Sequence, residues 1–292
     1  MAFDNAYEAL IDAPDDSRWA FGTGFEDPLS GVDTTVPSGV DGDDLARYCL
    51  MLGDDALILS HRLQEWCTRG PELEDEVAVA NIALDLLGQA RLLLARAGKA
   101  DGSGRGEDHY AYFRAEHEFR NVRLVETERG DFARLVAVLF VASTWRLAVL
   151  QRLRSSTDPV LAAIADKGVK ELTYHRDYAA GWVVRLGDGT DVSRERMRAA
   201  LDDVWPLVPE LFHTHDVERR LAGVAVDPAE VRAEFDDVVA QVLGAATLTV
   251  PDVPARAGVA GGTGRDGRHT EAMGYLLAEL QSVARAHPEA TW

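Results

Sequence analysis

Four stretches of this chain, at about 43–67, 72–97, 131–155 and 158–186, repeat apolar or small residues in steps of three and four. A sequence patterned that way is confined to helices packed along a shared seam. In the last stretch the seam is Leu161, Ala165, Gly168, Leu172, His175, Ala179 and Trp182, so a histidine points inward. The first carries Leu45, Leu52, Ala56, Leu59, Leu63 and Trp66 on one face. The second has a seam of Leu73, Val77, Ala80, Leu84, Leu87 and Leu94, with apolar residues around much of its remaining circumference. That pattern predicts a helix buried on several sides. No run alternates in the manner of strands, so the expected class is an all-α bundle.

The rest of the chain punctuates and extends that bundle. Residues 1–42 are rich in Asp, Gly, Pro, Ser and Thr and read as an acidic, flexible arm ahead of a helical domain at 43–292; Trp19, Phe21 and Phe25 are its candidate docking residues. After the fourth helix, Gly187 to Thr190 form a turn, and Asp191 or Ser193 caps a fifth helix running to about Phe212, bent at Pro206 and Pro209. A sixth starts at Asp227-Pro228, residues 246–250 are candidates for extended chain, and a last helix spans about Thr270 to His287.

Charge and cysteine content exclude several function classes. Forty-nine acidic against thirty basic residues give a formal charge of −19, which disfavours nucleic acid and anionic lipid. The longest unbroken apolar run, Leu135 to Ala142, is far short of the roughly 20 residues of a span. With no basic, apolar leader at the N-terminus, the expected location is the cytoplasm. Cys49 and Cys67 lie eighteen residues apart on one helix, about 27 Å at 1.5 Å per residue, too far to bridge.

The inward His175 raises the question of a metal site. A bundle that holds two iron ions supplies carboxylates from two helices and Glu-x-x-His from two more, because hard cations need anionic oxygens with imidazoles completing the shells. Here the residue three before His175 is Leu172, and Glu171 is rotated about 100° off the seam, in reach only if the helix turns or bulges. On the second helix Asp85 is followed three later by Gly88, and no His occurs between His61 and His109. Between Asp131 and Asp158 there is no Asp, Glu or His. His175, Asp85, Asp54 and Asp55 are too few for a binuclear site, and His175 reads as a neutral core histidine bonded to a polar neighbour. The stripe Asn81, Asp85 and Gln89 reads as an interior or interface hydrogen-bond network, with a solvated face as the rival. Gly262 to Gly267 matches Gly-x-Gly-x-x-Gly, but no βαβ unit surrounds it, which weakens a nucleotide reading. His213, His215 and Asp216 read as solvated polar residues.

Several ungapped blocks carry a resemblance. Leu52 to Asp55, Leu59 to Trp66, Ala80 to Arg91, Gly187 to Ser193, His269 to Glu271 and Leu277 to Gln281 resemble the C subunits of bacterial 1,2-phenylacetyl-CoA epoxidases, in order from about Asp43 to Trp292. The resemblance implies a ferritin-like helical bundle with additional C-terminal helices. It also implies a place in a multicomponent monooxygenase, whose catalytic A subunit holds a di-iron centre and epoxidises the ring of phenylacetyl-CoA. Electrons come from NADPH through a separate reductase carrying FAD and an iron-sulfur cluster. The C subunit is then the structural partner of A, with no cofactor, metal or catalytic residue of its own. Against the A-type pattern, Leu172 stands where a Glu ligand would be, Gly88 where a His would be and Ser143 where an acid would be, while Asp85 and His175 persist, and Asp55 is a further degenerate di-iron position. The alternative is an autonomous ferritin-like oxidase or iron-binding protein using Asp85, Glu171 and His175.

Overall fold

The computed structural model describes residues 29–290 except Arg129 and Val259. Trp19, Phe21 and Phe25 lie outside the described residues. The chain enters the bundle at α1 (Gly42–Gln64), where the Asp41 carboxylate accepts the Asp44 N–H at 3.0 Å and satisfies one of the free amides of the first turn. Next come α2 (Leu73–Ala100) and a short α3 (Glu107–Tyr112). Asp131 caps α4 (Phe132–Leu153), and Asp158, followed by a first-turn proline, caps α5 (Pro159–Gly187). α1 pairs with α2, α4 pairs with α5, and α2 closes the bundle against α5. Among the described residues there is no strand, only an isolated bridge between Ala222 and Ala225. Residues 248–250 are irregular. The fold is all-α, a ferritin-like bundle carrying additional C-terminal helices.

Burial of the first helix follows its sequence pattern, since Leu45, Leu52, Ala56, Leu59, Leu63 and Trp66 are all buried. The second helix corrects its predicted seam. Leu73, Val77 and Leu84 are 70%, 53% and 61% exposed, whereas Val79, Ile82, Ala83, Leu86, Ala90, Leu93 and Ala97 form the buried face. The helix is apolar on both sides, and periodicity cannot say which side meets the core. α2 and α4 are both long and apolar enough to cross a membrane, but 94% of the α4 window is buried inside the protein against 44% for α2. α4 is thus the central helix of the core, and more than half of the α2 window lies outside the buried interior.

Beyond the bundle, α6 (Asp191–Val204), capped by Thr190, rests on α4 and α5. The predicted fifth helix is not continuous. It ends at Val204 and tightens into a 3₁₀ stretch, Trp205–Phe212, because Pro206 and Pro209 supply no N–H to an α ladder. α7 (Asp216–Arg220) sits on α1; a 3₁₀ turn at Pro228–Val231 leads into α8 (Arg232–Ala245), which packs on α4 and α5. α9 (Glu271–Ala286) returns across α3, where Gln281 Nε2 donates to the carbonyls of Ala111 and Arg114 at 3.0 and 3.1 Å. Residues 29–41 lie on the body: Leu29, Val32, Val36 and Val40 pack against the core, and Arg96 donates to Thr34 O and Thr35 O.

The start of α9 is pinned by a buried acid. Glu126 is fully buried and faces His269 Nδ1 at 3.5 Å, longer than a good hydrogen bond. Burial pushes the Glu126 carboxyl above its ordinary range, and His269 only partly opposes this. A carboxyl whose folded pKa is raised contributes stability that is complete below the ordinary carboxylate range and is lost as pH rises through the folded value. The expected result is that Glu126→Gln melts close to wild type at pH 4.5 and a few degrees above it at pH 8, read from paired thermal melts.

Candidate functional site: a charged interior in the bundle

The four long helices each send a polar group into the bundle, and these groups meet in one chain of hydrogen bonds. Arg146 of α4 is fully buried; its Nε donates to Gln89 Oε1 at 3.0 Å and its Nη1 to the Leu52 carbonyl of α1 at 3.0 Å. Gln89 of α2 in turn donates from Nε2 to Glu171 Oε2 of α5 at 2.8 Å, and Lys167 stands 3.4 Å from the other oxygen of Glu171. Gly168 leaves room for this relay, since a Cβ there would lie 2.5 Å from Leu150 Cδ1 and 3.4 Å from the Gln89 amide. Burial lowers the Arg146 pKa to about 10, against the pull of Asp55, so the guanidinium stays charged at neutral pH.

A second guanidinium arrives from the C-terminal loop. Arg265 donates from Nη1 and Nη2 to the two oxygens of Asp55 at 3.0 and 2.7 Å, and from Nη1 to the carbonyls of Met51 and Arg120. Asp55 Oδ1 also accepts the Val122 N–H at 2.9 Å. Burial pushes the Asp55 carboxyl up, while the bidentate contact with Arg265, a fork with no acceptor of its own, opposes that and keeps the two an ion pair. The Gly-x-Gly-x-x-Gly loop is shaped for this delivery. A Cβ on Gly264 would fall 2.1 Å from Asn121 O, and Gly267 has φ +72°, so both positions require glycine for backbone reasons that involve no phosphate. Asp54, next to Asp55, points to another side, where it forms a buried pair with Arg114 and accepts the Arg120 N–H at 2.8 Å.

The remaining sequence candidates fall around this interior. His175 is fully buried, and its Nε2 lies 3.0 Å from Asp85 Oδ2, on the edge of the bundle that α2 and α5 share. Glu171 reaches Gln89 without any bulge in α5, which is α-helical throughout. Leu172 contributes only apolar surface to the core. Ser143 turns its hydroxyl back onto the Leu139 carbonyl at 2.6 Å. A Cβ on Gly88 would meet no atom within 4 Å. Of the stripe Asn81, Asp85 and Gln89, the first is exposed, the second half-buried and the third buried; Gln89 joins the network, while Asp85 bonds His175. His213 and His215 stack edge to face at 4.7 Å outside a helix, and His215 reaches Thr263 Oγ1.

These donors do not fit a pair of iron ions. Asp55 is already held by three N–H groups, Glu171 by Gln89 and Lys167, and Asp85 by His175. Among the described residues no three His, Cys, Asp or Glu side chains converge. A guanidinium in the same interior would repel an added cation. Sequence reasoning missed both arginines. The signal for Arg146 was present: it is the one charged residue between Arg134 and Arg152 in an otherwise mostly apolar helix.

Comparison with known proteins places this arrangement. The chain is 44% identical over 253 residues to the C subunit of 1,2-phenylacetyl-CoA epoxidase from Escherichia coli (strain K12), an alignment that covers 86% of this chain and 100% of that protein. The family model described as phenylacetic acid catabolic protein matches residues 32–292, so the chain belongs to the phenylacetic acid catabolic protein family.

Proposed function

We propose that this chain is the structural, non-catalytic C subunit of a 1,2-phenylacetyl-CoA epoxidase, pairing with the catalytic A subunit in the cytoplasm during aerobic phenylacetate degradation. The observation that carries this reading is the bundle interior, in which Arg146, Gln89, Glu171, Asp55 and Arg265 are bonded to protein partners, and among the described residues no three His, Cys, Asp or Glu side chains converge to hold a metal. The likeness to the C subunit of an epoxidase over 86% of this chain supports the same assignment, and two unbridged cysteines suit a reducing compartment. In this reading the di-iron centre belongs to the partner A subunit, and NADPH, FAD and the iron-sulfur cluster to the reductase.

The surface of α2 supplies the docking face. Leu73, Val77 and Leu84 stand in solvent along its outer side, and Tyr174 is exposed on the adjoining α5 beside His175. A row of large apolar side chains on a long, rigid helix suits burial against a second protein. The test is co-expression with an A-type epoxidase subunit, followed by size-exclusion chromatography and iron analysis. Joint elution, with iron absent from this chain purified alone, is expected. Separate elution would remove the pairing, and about two irons per isolated chain would return the reading to an autonomous oxidase built on Asp85, Glu171 and His175.

A further inference from the structure

The interior of the bundle carries charge of both signs. Arg146 and Arg265 are positive; Asp55 and Glu171 are negative; all four lie among the long helices within hydrogen-bond reach of one another or of Gln89. Isolated charges in such a place are costly, and each must be matched. Gln89 cannot balance charge, but it relays it, accepting from the cation on α4 and donating to the anion on α5. Trp145, one residue before Arg146, lies under the Arg265 guanidinium at 5.9 Å.

We infer that Arg146 and Arg265 act as fixed cations at the centre of this bundle, supplying through two side chains the charge that balances the buried acids and ties α1, α2, α4 and α5 together. The device is specific in its parts. Arg146 bonds the Leu52 carbonyl and Gln89; Arg265 is delivered by a loop whose glycines permit the approach; Glu171 and Asp55 are the acids they neutralise. A fixed cation has consequences that an apolar core lacks. Removing one leaves the buried acids one interior cation short, and removing an acid as well restores the balance. The other charged or titratable groups that Arg146 feels are Arg265 itself and Tyr48 on α1, whose buried hydroxyl accepts the Val226 N–H and stays protonated at neutral pH.

The test uses thermal melts of the full chain in three forms: wild type, Arg146→Met, and Arg146→Met with Glu171→Gln. Methionine keeps most of the volume and removes the charge. At pH 7.5 the single variant is expected to melt roughly 6–20 °C below wild type, and the double variant to recover more than half of that loss. If the single variant does not fold, folding of the double variant alone meets the expectation. A single variant as stable as wild type, or a double variant no better than the single one, overturns the inference and leaves Arg146 a packing residue.

Discussion

Replacement of Arg265 by Met is expected to remove about 3–5 kcal/mol of folding stability, the usual cost of stripping one partner from a buried ion pair. Asp55 would keep only the Val122 N–H, and the carbonyls of Met51 and Arg120 would lose their donor as well. The loss is expected as a lower urea midpoint with little change in the slope. In the double variant Asp55→Asn/Arg265→Met the cost should fall well below the sum of the single costs, because neither charge is then left alone. Equal midpoints for Arg265→Met and wild type would show that the C-terminal loop does not hold the bundle. The comparison also separates this loop from a nucleotide-binding one, since its glycines then serve the placement of an arginine.

The second large effect concerns association. Leu84→Glu is expected to weaken binding to the A-type subunit by roughly 30- to 1,000-fold, equivalent to about 2–4 kcal/mol for a central apolar contact, while the melt of the isolated chain stays within a degree or two of wild type. Leu84 is exposed, so a carboxylate there has water in the free chain and none in a dry interface. Pull-down with a tagged partner together with a melt of the free variant separates the two effects. Unchanged capture would place the interface on another face of the bundle.

Setting α1 beside α2 shows what is legible in the sequence. On α1 the face marked by spacing is buried, but so is every other residue from Met51 to Ser60, Asp54 and Asp55 included, so spacing finds only part of what the core takes in. On α2 both faces are apolar, and the outward row of Leu73, Val77 and Leu84 is the one that looks like a seam. An apolar row left outside and one buried within leave the same trace in periodicity. The interior is legible in its absences, because Leu172, Gly88 and Ser143 are visibly not ligands. It is opaque in its replacements: Arg146 and Arg265 come from distant segments, and only the folded chain brings them to Asp55 and Glu171. Glu171 shows a further limit, since a long side chain about 100° off a seam still reaches a buried amide without a bulge.

The Asp55–Arg265 contact spans 210 residues of chain, and that distance has a meaning during synthesis. At roughly 5–20 residues per second, Asp55 leaves the ribosome roughly 10–40 s before the arginine that neutralises it. Asp54 waits for Arg114 over 60 residues only. Throughout that interval the α1–α2 hairpin carries an unmatched acid on its inner face, which opposes early closure onto α4. The bundle therefore settles last where the chain is made last. A nascent chain that has not yet delivered Arg265 would hold all four long helices with its centre still open.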